Sequence, residues 1–205
     1  MSGTDSTLRL IELTAATLCQ DISGLVGSLS NSITASHGGM AGPREGTETA
    51  LDMLATRLAL RRAAWGPEGE PLPLARMRSL ARGLPDHIGV DASALAQGTV
   101  FTAPAGRIVM NLLLLAADSL PHGGTVMLAG SADDLFVRIA GPNAAWSPGM
   151  AVCLANETEA RFALNQWQNP QMALTALLAH AAGIRLSVLL ASAAQTEPAI
   201  LRLGG

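Results

Sequence analysis

The sequence predicts an α+β protein in two parts. An antiparallel helical hairpin occupies residues 1–65, and an α/β sandwich occupies residues 72–205. Three observations predict it. First, Leu8, Ile11, Ala15, Leu18, Ile22, Leu25, Leu29 and Ser32 step by three and four, the seven-residue rhythm of a packing helix. Leu51, Leu54 and Leu58, continued by Arg61 or Arg62, repeat the step. Second, Pro104 to Leu120 is apolar nearly all round, and an alternating hairpin pattern follows it, as expected of a helix buried against a sheet. Third, the run Trp65-Gly66-Pro67-Glu68-Gly69-Glu70-Pro71 breaks the two patterns apart and reads as a linker.

The helical stripes need a partner to be stable in water. Two helices bury little by themselves, so the hairpin either pairs with a second copy or leans on the rest of the chain. The two stripes exceed what one hairpin can cover, which predicts a homodimer through a four-helix bundle.

Composition narrows the function. The chain has 205 residues, 49% of them hydrophobic, so it can build a sizeable core. A formal net charge of -3 and a pI near 5.8 argue against bulk nucleic-acid binding. Two cysteines, Cys19 and Cys153, make neither a disulfide framework nor a metal cluster. Val109 to Ala117 is the longest apolar run, but it is interrupted by Asn111 and is too short to span a membrane. The polar start, with Asp5 and Ser6, does not read as a signal peptide. The expectation is a soluble cytoplasmic protein without nucleic-acid or membrane partners.

Taken in order, residues 5–36 form the first helix, with Asp5 or Ser6 as its cap. Ser36-His37-Gly38-Gly39-Met40-Ala41-Gly42-Pro43 is the turn. Residues 44–65 form the second helix, acidic early (Glu48, Asp52) and basic late (Arg57, Arg61, Arg62), as the helix dipole favours. Leu74 to Leu84 reads as a short helix and His87 to Asp91 as a short strand, with residues 92–101 left loose. After the helix 104–120, strands are expected at Thr125–Leu128 and Leu135–Ala140, joined by the turn Ser131-Ala132-Asp133-Asp134. Gly149 to Glu157 reads as a short helix, and 157–166 is ambiguous. Asn169-Pro170 caps a helix from Gln171 to Ala182 that Gly183 closes. Ile184–Leu190 and Ala199–Leu203 are the last strands of a mainly antiparallel sheet with helices on one face.

The outer face of the first helix is the candidate site. Gln20 falls opposite the packing stripe and Asp21 at its flank, with Ser23, Gly24, Gly27 and Ser28 on nearby faces. Each helical glycine costs about 1 kcal/mol against alanine, which a helix accepts where something must approach closely. That makes a flat docking surface around Gln20. Elsewhere no catalytic constellation is legible. His37, His87, His122 and His180 stand at no metal-ligand spacing, no glycine loop cradles phosphate, and Asp133-Asp134 lies in a turn.

The run Leu18-Cys19-Gln20-Asp21-Ile22-Ser23-Gly24-Leu25-Val26-Gly27, with Asn31 one turn on, resembles the signature of the ChpT-type histidine phosphotransferases of alphaproteobacteria. There the run reads Leu-Cys-His-Asp, then small residues with Val-Gly, then Asn. Asn111-Leu112-Leu113-Leu114-Leu115-Ala116-Ala117, Leu120-Pro121-His122-Gly123-Gly124-Thr125 and Asn169-Pro170-Gln171 follow in matching order, so the resemblance runs over nearly the full chain. It implies a dimer built on a four-helix bundle. It also implies a C-terminal domain that resembles the ATP-binding domain of histidine kinases but no longer binds nucleotide. The partners it implies are a hybrid histidine kinase and response-regulator receiver domains, between which a phosphoryl group passes on a helix-borne histidine.

The chain departs from the pattern at the phosphoacceptor, which is Gln20; Asp21, which would orient the histidine, is kept. A glutamine amide has no nucleophilic ring nitrogen. The residues that dock a partner by this resemblance are Gln20, Asp21, Ser23, Gly24, Gly27 and Asn31. No cofactor and no metal is expected. The metal-holding Asn of nucleotide-binding relatives falls at Leu115, and Gly141-Pro142-Asn143 stands where an Asp-x-Gly-x-Gly turn would hold adenine. The resulting expectation is a phosphotransferase-like protein that docks receivers without carrying phosphate at residue 20. The alternatives are phosphotransfer through another histidine, His37 first among them, a small-molecule sensor, and a structural dimeric scaffold.

Overall fold

The computed structural model describes residues 22–24, 26–27, 43–166, 169–189 and 199–204. Most of the expected first helix, 5–36, lies outside them; residues 22–24 and 26–27 are helical. The second helix is present as α1, Pro43–Trp65. The rest is an α+β sandwich. Strand β1 (Leu72–Pro73) is followed by α2 (Leu74–Ala81), β2 (Ile88–Ala94), β3 (Val100–Phe101) and α3 (Ala103–Asp118). Then come β4 (Gly124–Gly130), β5 (Asp134–Ala140), α4 (Met150–Ala155), α5 (Glu157–Asn165), α6 (Pro170–Ala182), β6 (Arg185–Leu189) and β7 (Ile200–Gly204).

The main sheet has the order β2-β4-β5-β7-β6. Only β2 and β4 run parallel; the other pairs are antiparallel. Alternation fixes its register. Val126 and Leu128 of β4 and Leu135, Val137 and Ile139 of β5 point inward and are fully buried. On the outward side Arg202 binds Asp134 through two bonds, of 2.6 and 2.9 Å, and lies 5.5 Å from the Phe136 ring centroid. The guanidinium holds the Asp134 carboxyl below the usual carboxylate range.

Helix α3 is the centre of the fold. Thr102 caps it, accepting a bond from Ala105 N at 3.4 Å, and Pro104 sits in the first turn, where its missing N–H costs nothing. Every residue from Ile108 to Ala116 is buried. The sheet, α1, α2 and α6 all pack against this helix.

Helix α1 meets this core with a face different from the one its leucines mark. Leu60 and Ala64 are buried, whereas Leu51 is 49% exposed and Leu54 and Leu58 are half-buried. At 100° per residue the two sets lie about 130° apart round the helix. Among the described residues the leucine stripe is therefore only partly covered. Close approach on the buried side needs Gly83, where an added Cβ would stand 2.5 Å from Thr56 O and 3.0 Å from Leu60 Cβ.

Other expectations shift in detail. Residues 92–101 are not loose: β2 runs to Ala94, and Val100–Phe101 pairs with Leu72–Pro73, strands too short to show a period of two. The ambiguous stretch 157–166 is helix α5, capped by Asn156, whose side chain accepts from Thr158 N at 2.9 Å. Asn169 precedes α6 but makes no side-chain cap; its amide instead donates to Ser147 Oγ at 2.5 Å. Gly183 closes α6 in the left-handed conformation, φ +65°, as glycine readily does.

Because α3 has no slack around it, Leu113→Ala should cost about 2–5 kcal/mol. Urea unfolding followed by circular dichroism should show a lower midpoint with an unchanged slope.

Candidate functional site

Three of the residues assigned to the docking face lie within the described structure. Ser23, Gly24 and Gly27 are helical and exposed. Among the described residues, a Cβ built on Gly24 or Gly27 meets no atom within 4 Å. Val26 is 51% exposed, and Ile22, expected in the packing stripe, is 39% exposed. The surface is therefore low, apolar in part and open. Gln20, Asp21 and Asn31 lie outside the described residues, as does His37.

Two positions of the C-terminal domain bear on the expected loss of a nucleotide site. Leu115 is 1% exposed and offers no oxygen. Gly141-Pro142-Asn143 makes a tight turn, with Ala144 N bonded to Gly141 O at 3.2 Å and Asn143 at φ +56°. No carboxylate lies between Gly141 and Gly149. Beyond this turn α4 and α5 fold onto α6, burying Met150, Cys153, Ala160 and Leu164. Trp146 ties the segment down, its indole donating to Ala199 O at 2.6 Å. His180 Nε2 lies 3.0 Å from Cys153 O, which fixes α6 to α4.

A buried polar cluster joins α1 to this domain, and sequence reasoning missed it. Asn111, fully buried, donates through Nδ2 to Ala64 O at 2.6 Å and to Arg107 O at 2.9 Å. Its Oδ1 accepts from Gln171 Nε2 at 3.0 Å, and the Trp65 indole donates to Gln171 Oε1 at 3.3 Å. Arg107 adds bonds to Ala64 O and Trp65 O, both 3.3 Å. The available signal was the lone Asn in the apolar run of α3: a buried amide must find partners. Beside the junction a cleft of about 1090 Å³ is lined by Leu58, Leu72 and Met110 together with Arg62, Arg76 and Arg107.

Among the described residues no group of three or more His, Cys, Asp or Glu could hold a metal ion. None of the described helices is long and apolar enough to cross a membrane.

Comparison with known proteins places the chain. The model of the histidine phosphotransferase C-terminal domain matches residues 77–194, more than half of the sequence, and the chain belongs to that family. No curated protein matches it. A solved structure described as "1.7 Angstrom Structure of a Bacterial Phosphotransferase" shares its fold, with a TM-score of 0.67 at 20% identity. That alignment covers 99% of this chain and 97% of the other. Two further structures are more distant. Full-length ShkA in complex with AMPPNP gives a TM-score of 0.42 at 15% identity over 94% of this chain and 44% of that one. The cytoplasmic segment of histidine kinase QseC gives 0.35 at 17% identity over 80% and 95%.

Burial pushes the Cys153 thiol up from its ordinary pKa, with the nearby Glu159 charge adding to the shift. Cys153 should therefore resist alkylation by iodoacetamide at pH 8 in the native protein. Its peptide, read by mass spectrometry, should become modified only after unfolding in urea.

Proposed function

We propose that this protein is a ChpT-type histidine phosphotransferase relative that docks response-regulator receiver domains in the cytoplasm and carries no phosphoryl group on residue 20. The observation that carries the reading is the exposed helical face of Ser23, Gly24 and Gly27, with no described atom within 4 Å of either glycine's missing Cβ, in a chain of the histidine phosphotransferase family. A low surface of this kind lets the rim of an aspartyl-phosphate pocket come close to the helix. Gln20, Asp21 and Asn31 complete the docking face in this reading, and a hybrid histidine kinase is the second partner.

The chemistry at residue 20 decides the rest. Transfer from a receiver breaks the acyl–phosphate P–O bond and forms a P–N bond to a nitrogen lone pair in line with phosphorus, about 3 Å away. Imidazole has that lone pair. The lone pair of a glutamine amide nitrogen is delocalised into its carbonyl, so it is a poor nucleophile. Docking without transfer makes the protein an adaptor or decoy in two-component signalling.

Residues 1–65 serve as the dimerisation hairpin in this proposal, and residues 72–205 as a degenerate ATPase-like domain. Support for a four-helix bundle comes from two apolar sets that the described residues leave exposed or half-buried: Ile22 on the first helix, and Leu51, Leu54 and Leu58 on α1. A second copy covers both at once. Sedimentation at micromolar concentration should give a dimer of the 21.0 kDa chain, and a clean monomer overturns the bundle.

The test of the docking reading is phosphotransfer from a phosphorylated cognate receiver. Wild-type protein should bind the receiver and take up no acid-labile label. Gln20→His should gain label on residue 20. Gly24→Arg should abolish binding while leaving the circular dichroism spectrum intact. Label on the wild type means that another histidine is the acceptor. Absence of receiver binding by both forms overturns the reading and leaves a sensor or scaffold sharing the fold.

A further inference from the structure

We propose that Asn111, Gln171, Trp65 and Arg107 form a polar clamp that holds the C-terminal end of α1 rigidly on the α/β domain. The hairpin helix and the C-terminal domain then move as one body. This inference does not depend on receiver docking. The ordinary expectation for two domains joined by a Pro/Gly-rich linker is relative motion, unless the interface between them is extensive. Here the linker, residues 66–71, is not a hinge, because the helix before it is already fixed.

The clamp acts on the part of α1 that has no partners within its own helix. The last carbonyls of a helix are unsatisfied and normally turn to water. Ala64 O instead accepts from Asn111 Nδ2 at 2.6 Å and from Arg107 Nε at 3.3 Å, and Trp65 O accepts from Arg107 Nη2 at 3.3 Å. Arg62 O is taken by Gly66 N at 2.9 Å. The donors on α3 lie more than forty residues downstream of the carbonyls they satisfy.

Each amide has its orientation imposed by a neighbour with a single role. The Trp65 indole can only donate, so it must face Gln171 Oε1. Gln171 Nε2 is thereby turned toward Asn111 Oδ1 at 3.0 Å and Thr175 Oγ1 at 3.2 Å. Thr175 spends its own proton on Gln171 O at 2.7 Å, which leaves its oxygen free to accept. Asn111 Nδ2 faces two backbone carbonyls, which can only accept. Asn111, Gln171 and Thr175 are all buried, so a lost partner cannot be replaced by water without opening the core. Arg61 closes the outer side, its guanidinium 4.8 Å from the Trp65 ring centroid. Leu60 and Ala64 supply the apolar contact on the same face.

Amide hydrogen exchange on the full-length protein tests the clamp, by comparing residues 58–66 with the β4–β5 hairpin, 124–140. In the wild type the helix end should exchange by slow, cooperative opening, as the sheet does. Trp65→Phe and Arg107→Met remove donors and keep apolar bulk at half-buried positions. Each should raise exchange in 58–66 several-fold while 124–140 is unchanged. Asn111→Leu removes the central donors at similar volume, and the rise should reach about tenfold or more. If Asn111→Leu fails to fold, the other two variants decide. No rise in 58–66 in either of them, or an equal rise in both regions, overturns the clamp.

Discussion

Helix α3 has no face for water. Ile108 through Ala116 are buried without a break, so the helix must be covered on every side. The five-stranded sheet covers one side, α6 another, and α1 and α2 the remainder. Placing a helix at the centre of a domain buries a large apolar area, but it also strands any polar group the helix carries. Asn111 is that group. Its two hydrogens and its oxygen are satisfied by α1, by its own helix and by α6, so the same residue that costs most to bury fixes how two neighbouring helices sit.

This arrangement gives α1 two roles on two faces. Leu60 and Ala64 belong to the core of the α/β domain, while Leu51, Leu54 and Leu58 lie further round and are left partly open. A helix apolar on two faces is poorly stable when only one is covered. Among the described residues the leucine face of α1 is thus left for a further helix to cover, as the proposed bundle requires. The small residues Ser23, Gly24 and Gly27 present the opposite case: they are exposed, and among the described residues no atom lies within 4 Å of either glycine's missing Cβ.

Several elements were legible because local chemistry settles them. The apolar run of α3, the alternation of β4 and β5, and Pro170 with Gly183 bracketing α6 are each fixed by period or by backbone stereochemistry. Elements that depend on a distant strand were not. Val100–Phe101 is extended because Leu72–Pro73 lies beside it, and two residues cannot display a period. Asn169 illustrates the same limit at one side chain. Its position before a proline predicts a cap, yet Ser147, distant in sequence, takes the amide.

The candidate site divides along the same line. The identity of residue 20 is a property of the sequence: glutamine stands where the resemblance expects histidine, and no packing can give an amide an imidazole lone pair. The small residues beside it and the loss of polar groups at Leu115 are equally plain in the sequence. Which leucines of α1 face the core could not be read there, because two overlapping apolar stripes fit the same helix and only the partner selects between them. The roles of Asn111, Gln171, Trp65 and Arg107 were likewise out of reach. They lie on three helices, with Trp65 and Gln171 106 residues apart, and nothing local to any of them signals the others. Periodicity and residue chemistry act over a turn or two of chain, whereas the satisfaction of a buried polar group is decided by whatever the fold brings next to it.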